Sequence, residues 1–91
     1  MAKTPRYELD YADPIHEHID SIEEKYHSMI EHSIEEQLRF QPTVATRNRK
    51  RLKILGPFGA EWELRCGPDN RIRVFYNVDE IDRIVSLKAV E

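Results

Sequence analysis

Five cations fall within seven positions of this sequence: Arg47, Arg49, Lys50, Arg51 and Lys53. Further on, Arg65 and Arg73 stand in segments where apolar and charged residues alternate. Arginine presents a rigid fork of donors that grips phosphate bidentately, and the run holds three arginines to two lysines. A solvated loop is the plain reading of so short a basic run. The alternation around Arg65 and Arg73 gives the run more meaning, because a sheet face can align those arginines with the aromatic Phe75. A base could stack on that ring while cations hold the phosphates. The expected nucleic-acid interface is therefore Arg47, Arg49, Lys50, Arg51, Lys53 and Phe75, with Arg65 and Arg73 on the adjoining sheet face.

Other chemistry finds less support. His16, His18, His27 and His32 are spaced by 2, 9 and 5 residues, which puts no pair one helical turn apart, and no cysteine accompanies them. No metal and no cofactor is expected. The single cysteine, Cys66, shares its strand phase with Trp62 and Leu64 and reads as a buried thiol rather than a nucleophile. Tyr76 falls on a core phase as well.

Charge is divided unevenly. Residues 1–41 carry four basic and ten acidic side chains, a net of −6, and residues 42–91 carry ten and seven, a net of +3. A polyanion would thus be attracted to one limited face and repelled by the other half. The chain has 91 residues, 40% hydrophobic and 34% charged, which fits one small globular domain over 1–91. No apolar run approaches the ~20 residues of a membrane span, and the segment Met1–Arg6 lacks the apolar core of a signal peptide. One cysteine gives no internal disulfide, so the expected location is cytoplasmic.

The elements that must position these residues follow from periodicity. Tyr7–Tyr11 alternates like a half-buried strand and stops at Asp13-Pro14, a helix-start pair. Ile15, Ile19, Ile22, Tyr26, Met29 or Ile30, Ile34 and Leu38 form a helical stripe. A single helix over 14–40 would reach about 40 Å at ~1.5 Å per residue, too long for so small a core. The stripe also shifts phase near Met29, which predicts two antiparallel helices with a turn at 24–28. From Thr43 to Gly59 a connection is expected, with a short strand at Leu52–Leu55. Trp62–Cys66, Arg71–Val78 and Ile81–Val90 are the remaining strands, the first two joined by a turn at Gly67–Asn70. The fold class is α+β, in the order β-α-α-β-β-β, with a helical hairpin on one face of an antiparallel sheet. Arg65, Arg73 and Phe75 then share the opposite, open face.

The stretches Glu36-Gln37-Leu38, Thr46–Lys50, Gly59–Arg65 and Arg71–Asp79 resemble the RelE/ParE superfamily of toxins from type II toxin-antitoxin systems, in the branch described as cytotoxic translational repressors. The resemblance implies that fold, a cognate antitoxin partner that wraps the toxin, and cleavage of mRNA at the ribosome. It assigns Arg73 and Arg65 to basic strand positions of RelE-like toxins, and so implies a catalytic role for them in binding the scissile region and stabilising the charge that develops at phosphorus. Two departures bear on activity: Glu61 and Glu63 stand where RelE carries lysines, and Leu87–Glu91 has no match to the Gly-Lys-Arg-like segment with its catalytic tyrosine or histidine. Two other readings remain: a non-catalytic module that binds an antitoxin-like peptide, and ParE-like action on DNA gyrase. The oligomeric state is not legible in the sequence.

Overall fold

The computed structural model describes residues 6–91; most of the segment read for a signal peptide, Met1–Pro5, lies outside them. Strand β1 (Glu8–Tyr11) leads into helix α1 (Pro14–Asp20), a 3-10 turn at Glu24–Tyr26 and helix α2 (His27–Leu38). Strands β2 (Arg49–Arg51), β3 (Trp62–Cys66), β4 (Ile72–Asp79) and β5 (Ile84–Val90) follow. Pro14 opens α1 with Asp13 at the N-cap position, although the Asp13 side chain makes no capping bond. The hairpin of helices bends where the sequence places its turn, and α2 begins one residue before Ser28.

The sheet has five strands in the order β1-β5-β4-β3-β2. It is mixed: β1 pairs in parallel with β5 and every other pair is antiparallel. This corrects the all-antiparallel expectation. The two helices and strands β2 to β4 lie between β1 and β5 in the chain, which supplies the long crossover that a parallel pair requires. The expected strand at Leu52–Leu55 sits instead at Arg49–Arg51, so the basic run itself is the sheet's edge.

One face of the sheet meets the helices. Trp62, Leu64 and Cys66 from β3, Ile72, Val74 and Tyr76 from β4, and Val85, Leu87 and Val90 from β5 pack with Ile15, Ile19, Ile30, Ile34 and Leu38. Each fully buried leucine or isoleucine contributes about 1.5–3 kcal/mol relative to exposure. Lys88 is the extra residue of a bulge, since Phe75 pairs with Ala89 but Tyr76 pairs with Leu87. That extra residue lets both Leu87 and Val90 face the core while Ala89 faces away. At the β3–β4 turn, Gly67 has φ 79, and a Cβ there would fall 2.8 Å from Ile72. Only glycine fits both constraints.

Candidate anion-binding face

On the face away from the helices, Arg65 of β3 stands directly opposite Arg73 of β4, and Glu63 stands opposite Phe75. The pleat therefore delivers the expected grouping of Arg65, Arg73 and Phe75. Like charges directly across a strand pair repel, and each arginine here has its own relief. Arg65 donates from Nε to Glu63 at 2.8 Å, and the Arg73 guanidinium lies 5.7 Å from the centre of the Phe75 ring. The two arginines remain exposed, with their forks on one surface.

Glu63 is only 3% exposed and is the buried carboxylate of this face. Lys50, its partner across the β2–β3 ladder, brings Nζ to within 4.0 Å of it. Burying a carboxylate is costly unless it is paired, and these two cations supply the pairing. Lys50 and Arg65 thus share Glu63, and Arg73 stands across the ladder from Arg65. Glu63 is therefore ion-paired with both cations and shielded from solvent.

Phe75 does not serve as an exposed stacking platform, contrary to the sequence expectation; it is 4% exposed. The chain between β2 and β3 crosses the face and covers it. Phe75 packs with Ala60 and Ala89, and Leu52 closes the cluster. This strap is tied down by Asn77, whose Oδ1 accepts from the Glu61 N–H at 2.5 Å and whose Nδ2 donates to the Gly59 carbonyl at 3.1 Å. Leu52 N–H donates to the Glu61 carbonyl at 2.7 Å, closing the base of the loop. A Cβ on Gly56 would lie 3.0 Å from the Phe75 ring, so the strap backbone rests directly on that ring. What stays open is the end of the face that holds Arg65 and Arg73.

The strap displays an aromatic that the sequence did not single out. Phe58 is 67% exposed and sits at φ 57, a left-handed conformation uncommon for a bulky residue. Its ring stacks loosely on His18 of α1, with centroids 6.2 Å apart. No local sequence signal marks a phenylalanine for that conformation; only the adjoining Gly56, Pro57 and Gly59 announce an irregular turn.

The structure also divides the basic run. Arg49 pairs with Leu64 and so points to the helix side, where it is 6% exposed. Its Nη1 donates to the Gln37 carbonyl in the last turn of α2, where a cation meets the negative end of the helix dipole. Arg49 is thus a structural cap and is withdrawn from the phosphate-binding set. Arg51 lies at the sheet edge, 3.2 Å from Glu61. Arg47 and Lys53 are exposed and make no ion pair among the described residues. The expected single surface therefore separates into a central trio (Lys50, Arg65, Arg73), a rim (Arg47, Arg51, Lys53) and one buried member.

Cys66, Tyr76 and three of the four histidines have structural surroundings of their own. Burial pushes the Cys66 thiol up from its ordinary range, which keeps it protonated and unreactive. Tyr76 is fully buried, donates to the Pro42 carbonyl at 2.7 Å, and has its pKa pushed well up by desolvation. His18 Nδ1 accepts from the Val90 N–H at 3.2 Å, His27 Nε2 lies 2.8 Å from the Ile22 carbonyl, and His32 lies 3.1 Å from Glu36. Between the helices, a groove of about 500 Å³ carries Tyr11, Glu31 and Glu35 in its lining. Burial, then Glu35 and Glu31, raise the Tyr11 pKa, so this groove is electrostatically hostile to a polyanion. No helix of the described residues is long and apolar enough to cross a membrane.

Neither a protein-family model nor a curated protein matches the chain. Among solved structures, a chain of the toxin-antitoxin complex RelBE2 from Mycobacterium tuberculosis superposes with a TM-score of 0.76. The match has 15% sequence identity and covers 100% of this chain and 95% of that one. A chain of the archaeal RelE-RelB complex from Pyrococcus horikoshii OT3 superposes with a TM-score of 0.63 at 13% identity, covering 94% of this chain and 93% of that one. At such identities the likeness establishes the fold. Over the described residues the chain has the α+β fold of these neighbours, which are chains of RelBE2 and RelE-RelB complexes.

Proposed function

We propose that this chain is the toxin of a type II toxin-antitoxin pair, acting on mRNA at the ribosome in the cytoplasm and held inactive by a cognate antitoxin. One observation carries the reading: in a RelE-like fold, Arg65 and Arg73 stand opposite each other at the open end of the sheet, beside Lys50. In this role the trio grips the phosphates around the scissile bond and offsets charge that develops at phosphorus. Arg47, Arg51 and Lys53 draw the strand in from the rim. Inducing the chain alone in a bacterial host should arrest growth and leave new mRNA ends within reading frames. The double substitution Arg65→Ala/Arg73→Ala should abolish both effects. Normal growth with intact mRNA, from a folded product, would overturn the proposal.

A second reading has its own support. Glu63 already neutralises part of the trio, and it is shielded from the solvent side where a 2′-hydroxyl would lose its proton. This favours a module that binds RNA or an antitoxin without cutting. Growth arrest with full-length mRNA, and tight complex formation with the neighbouring gene's product, would select it.

A further inference from the structure

The outer side of the strap carries three large apolar side chains that are mostly exposed. Ile54 is 85% exposed, Leu55 63% and Phe58 67%. The strap is fixed from its inner side, through Leu52, Gly56 and Ala60 against Phe75 and through Asn77. Ile54 and Leu55 belong to neither packed cluster and Phe58 adds only its loose stack on His18, and neighbouring apolar exposure rimmed by polar groups marks an interaction surface. Phe58 bears the added cost of a left-handed backbone while leaving its ring mostly in water. Strain that burial does not repay points to use elsewhere.

The surroundings specify the occupant. Lys53 adjoins Ile54 and is exposed without an ion pair among the described residues, and Lys50 and Arg51 lie at the base of the strap. An occupant must bring negative charge together with apolar side chains. Nucleic acid supplies the charge, but only Phe58 offers a base a π surface, and the aliphatic Ile54 and Leu55 offer none. We propose that the outer side of the strap is the docking surface for an acidic, apolar-spaced protein segment, with Phe58, Ile54 and Leu55 as its anchors and Lys53 as its charge partner. Because the strap is already held against the sheet, little ordering is lost on docking, which favours affinity. Identifying this segment as part of an antitoxin rests on the toxin reading above; the docking chemistry itself does not.

The test is a selection from a random displayed library of 16-residue peptides against the immobilised full chain. Affinities of the enriched peptides are then read by fluorescence anisotropy. Enrichment of peptides rich in Asp and Glu with spaced Leu, Ile or Phe is expected. Their affinity should fall at least about 30-fold with Phe58→Asn and with the pair Ile54→Ser/Leu55→Ser, the loss typical of an interface anchor. Lys53→Glu should cost about 10-fold, more at low salt than at high salt. Asparagine tolerates the left-handed region, so Phe58→Asn keeps the fold, and circular dichroism confirms it. Absence of enrichment, enriched peptides without acidic character, or affinities unmoved by the strap substitutions would each overturn the proposal. So would a single-stranded RNA that loses more affinity than the peptides on Phe58→Asn, which assigns the ring to base stacking. Concentration-dependent self-association abolished by the same substitution would give the surface to a second copy and likewise overturn it. The growth assay reports separately on the toxin reading, so a failure of either is visible without the other.

Discussion

Replacing Phe75 by alanine separates the covered face found here from the open platform that strand alternation alone would suggest. The ring is 4% exposed in a small cluster with Ala60, Ala89 and Leu52. Returning such a ring to water costs about 2–3 kcal/mol in transfer free energy. Lost contact with the exposed Arg73 guanidinium adds about 0.5 kcal/mol, and residual cavity adds more if the strap does not settle. Because the cluster is a satellite of the main core, the strap can peel away and limit the loss. A total of about 3 kcal/mol follows, near the lower end of measured Phe→Ala changes.

For a domain of this size that loss corresponds to a fall in Tm of roughly 12–24 °C, readable by calorimetry or urea titration. Hydrogen exchange then localises it. The Gly56 N–H donates to the Ala60 carbonyl at 2.9 Å and the Leu52 N–H to the Glu61 carbonyl at 2.7 Å. These two amides should exchange about 100-fold faster in the variant, and under conditions where exchange proceeds by local opening the core amides of β4 should change far less. A stability change under about 0.5 kcal/mol, the usual range for a surface site, together with lost RNA affinity, would refute the reasoning. Phe75 would then be a platform after all, and the strap would not cover it.

Three further outcomes are expected. Arg49→Met should destabilise the domain by about 1–3 kcal/mol in urea, because the Gln37 carbonyl loses its charged donor, yet leave the salt dependence of RNA binding unchanged; Arg47→Ala should do the reverse, reducing the log–log salt slope by about 0.7 with a stability change within about 0.5 kcal/mol. The Tyr76 pKa is raised on folding, so the native state keeps a proton that the unfolded state loses. Its stabilisation is complete below about pH 10 and falls as pH climbs above that value, which absorbance at 295 nm should show as one tyrosine ionising only with unfolding; Tyr76→Phe should flatten that alkaline loss. Finally, the thiol of Cys66 should resist a disulfide reagent in the native state at pH 8 and react fully in 6 M guanidinium chloride, whereas rapid native reaction would contradict its burial.

Which parts of this site were legible beforehand depends on what a strand pattern encodes. Period-2 alternation fixes the side of a sheet, so Arg65, Arg73 and Phe75 could be set on one face opposite Trp62, Leu64, Val74 and Tyr76, and the register agrees. Alternation does not say what lies over a face. The cover over Phe75 comes from Leu52–Ala60, an irregular segment whose partners are contributed by Asn77 and Ala89 far along the chain. Nor could the run Arg47–Lys53 reveal which side meets the helices, since its one apolar member, Leu52, packs against Phe75 on the opposite face. Only pairing with β3 decides that Arg49 faces Leu64 and the helix end while Lys50 faces Glu63. Strand direction escapes the sequence for a related reason: alternation reads alike in both directions, so the parallel β1–β5 pair was invisible. These gaps have a common physical origin. Local periodicity records which side of an element is dry, but the chemistry here depends on contacts between segments that each look ordinary alone. Glu63 shows the consequence most directly. Its strand phase placed it on the wet face, yet Lys50, Arg65 and the neighbouring strap leave its carboxylate neither exposed nor free. The net charge of this face is therefore set by one enclosed anion as much as by its arginines.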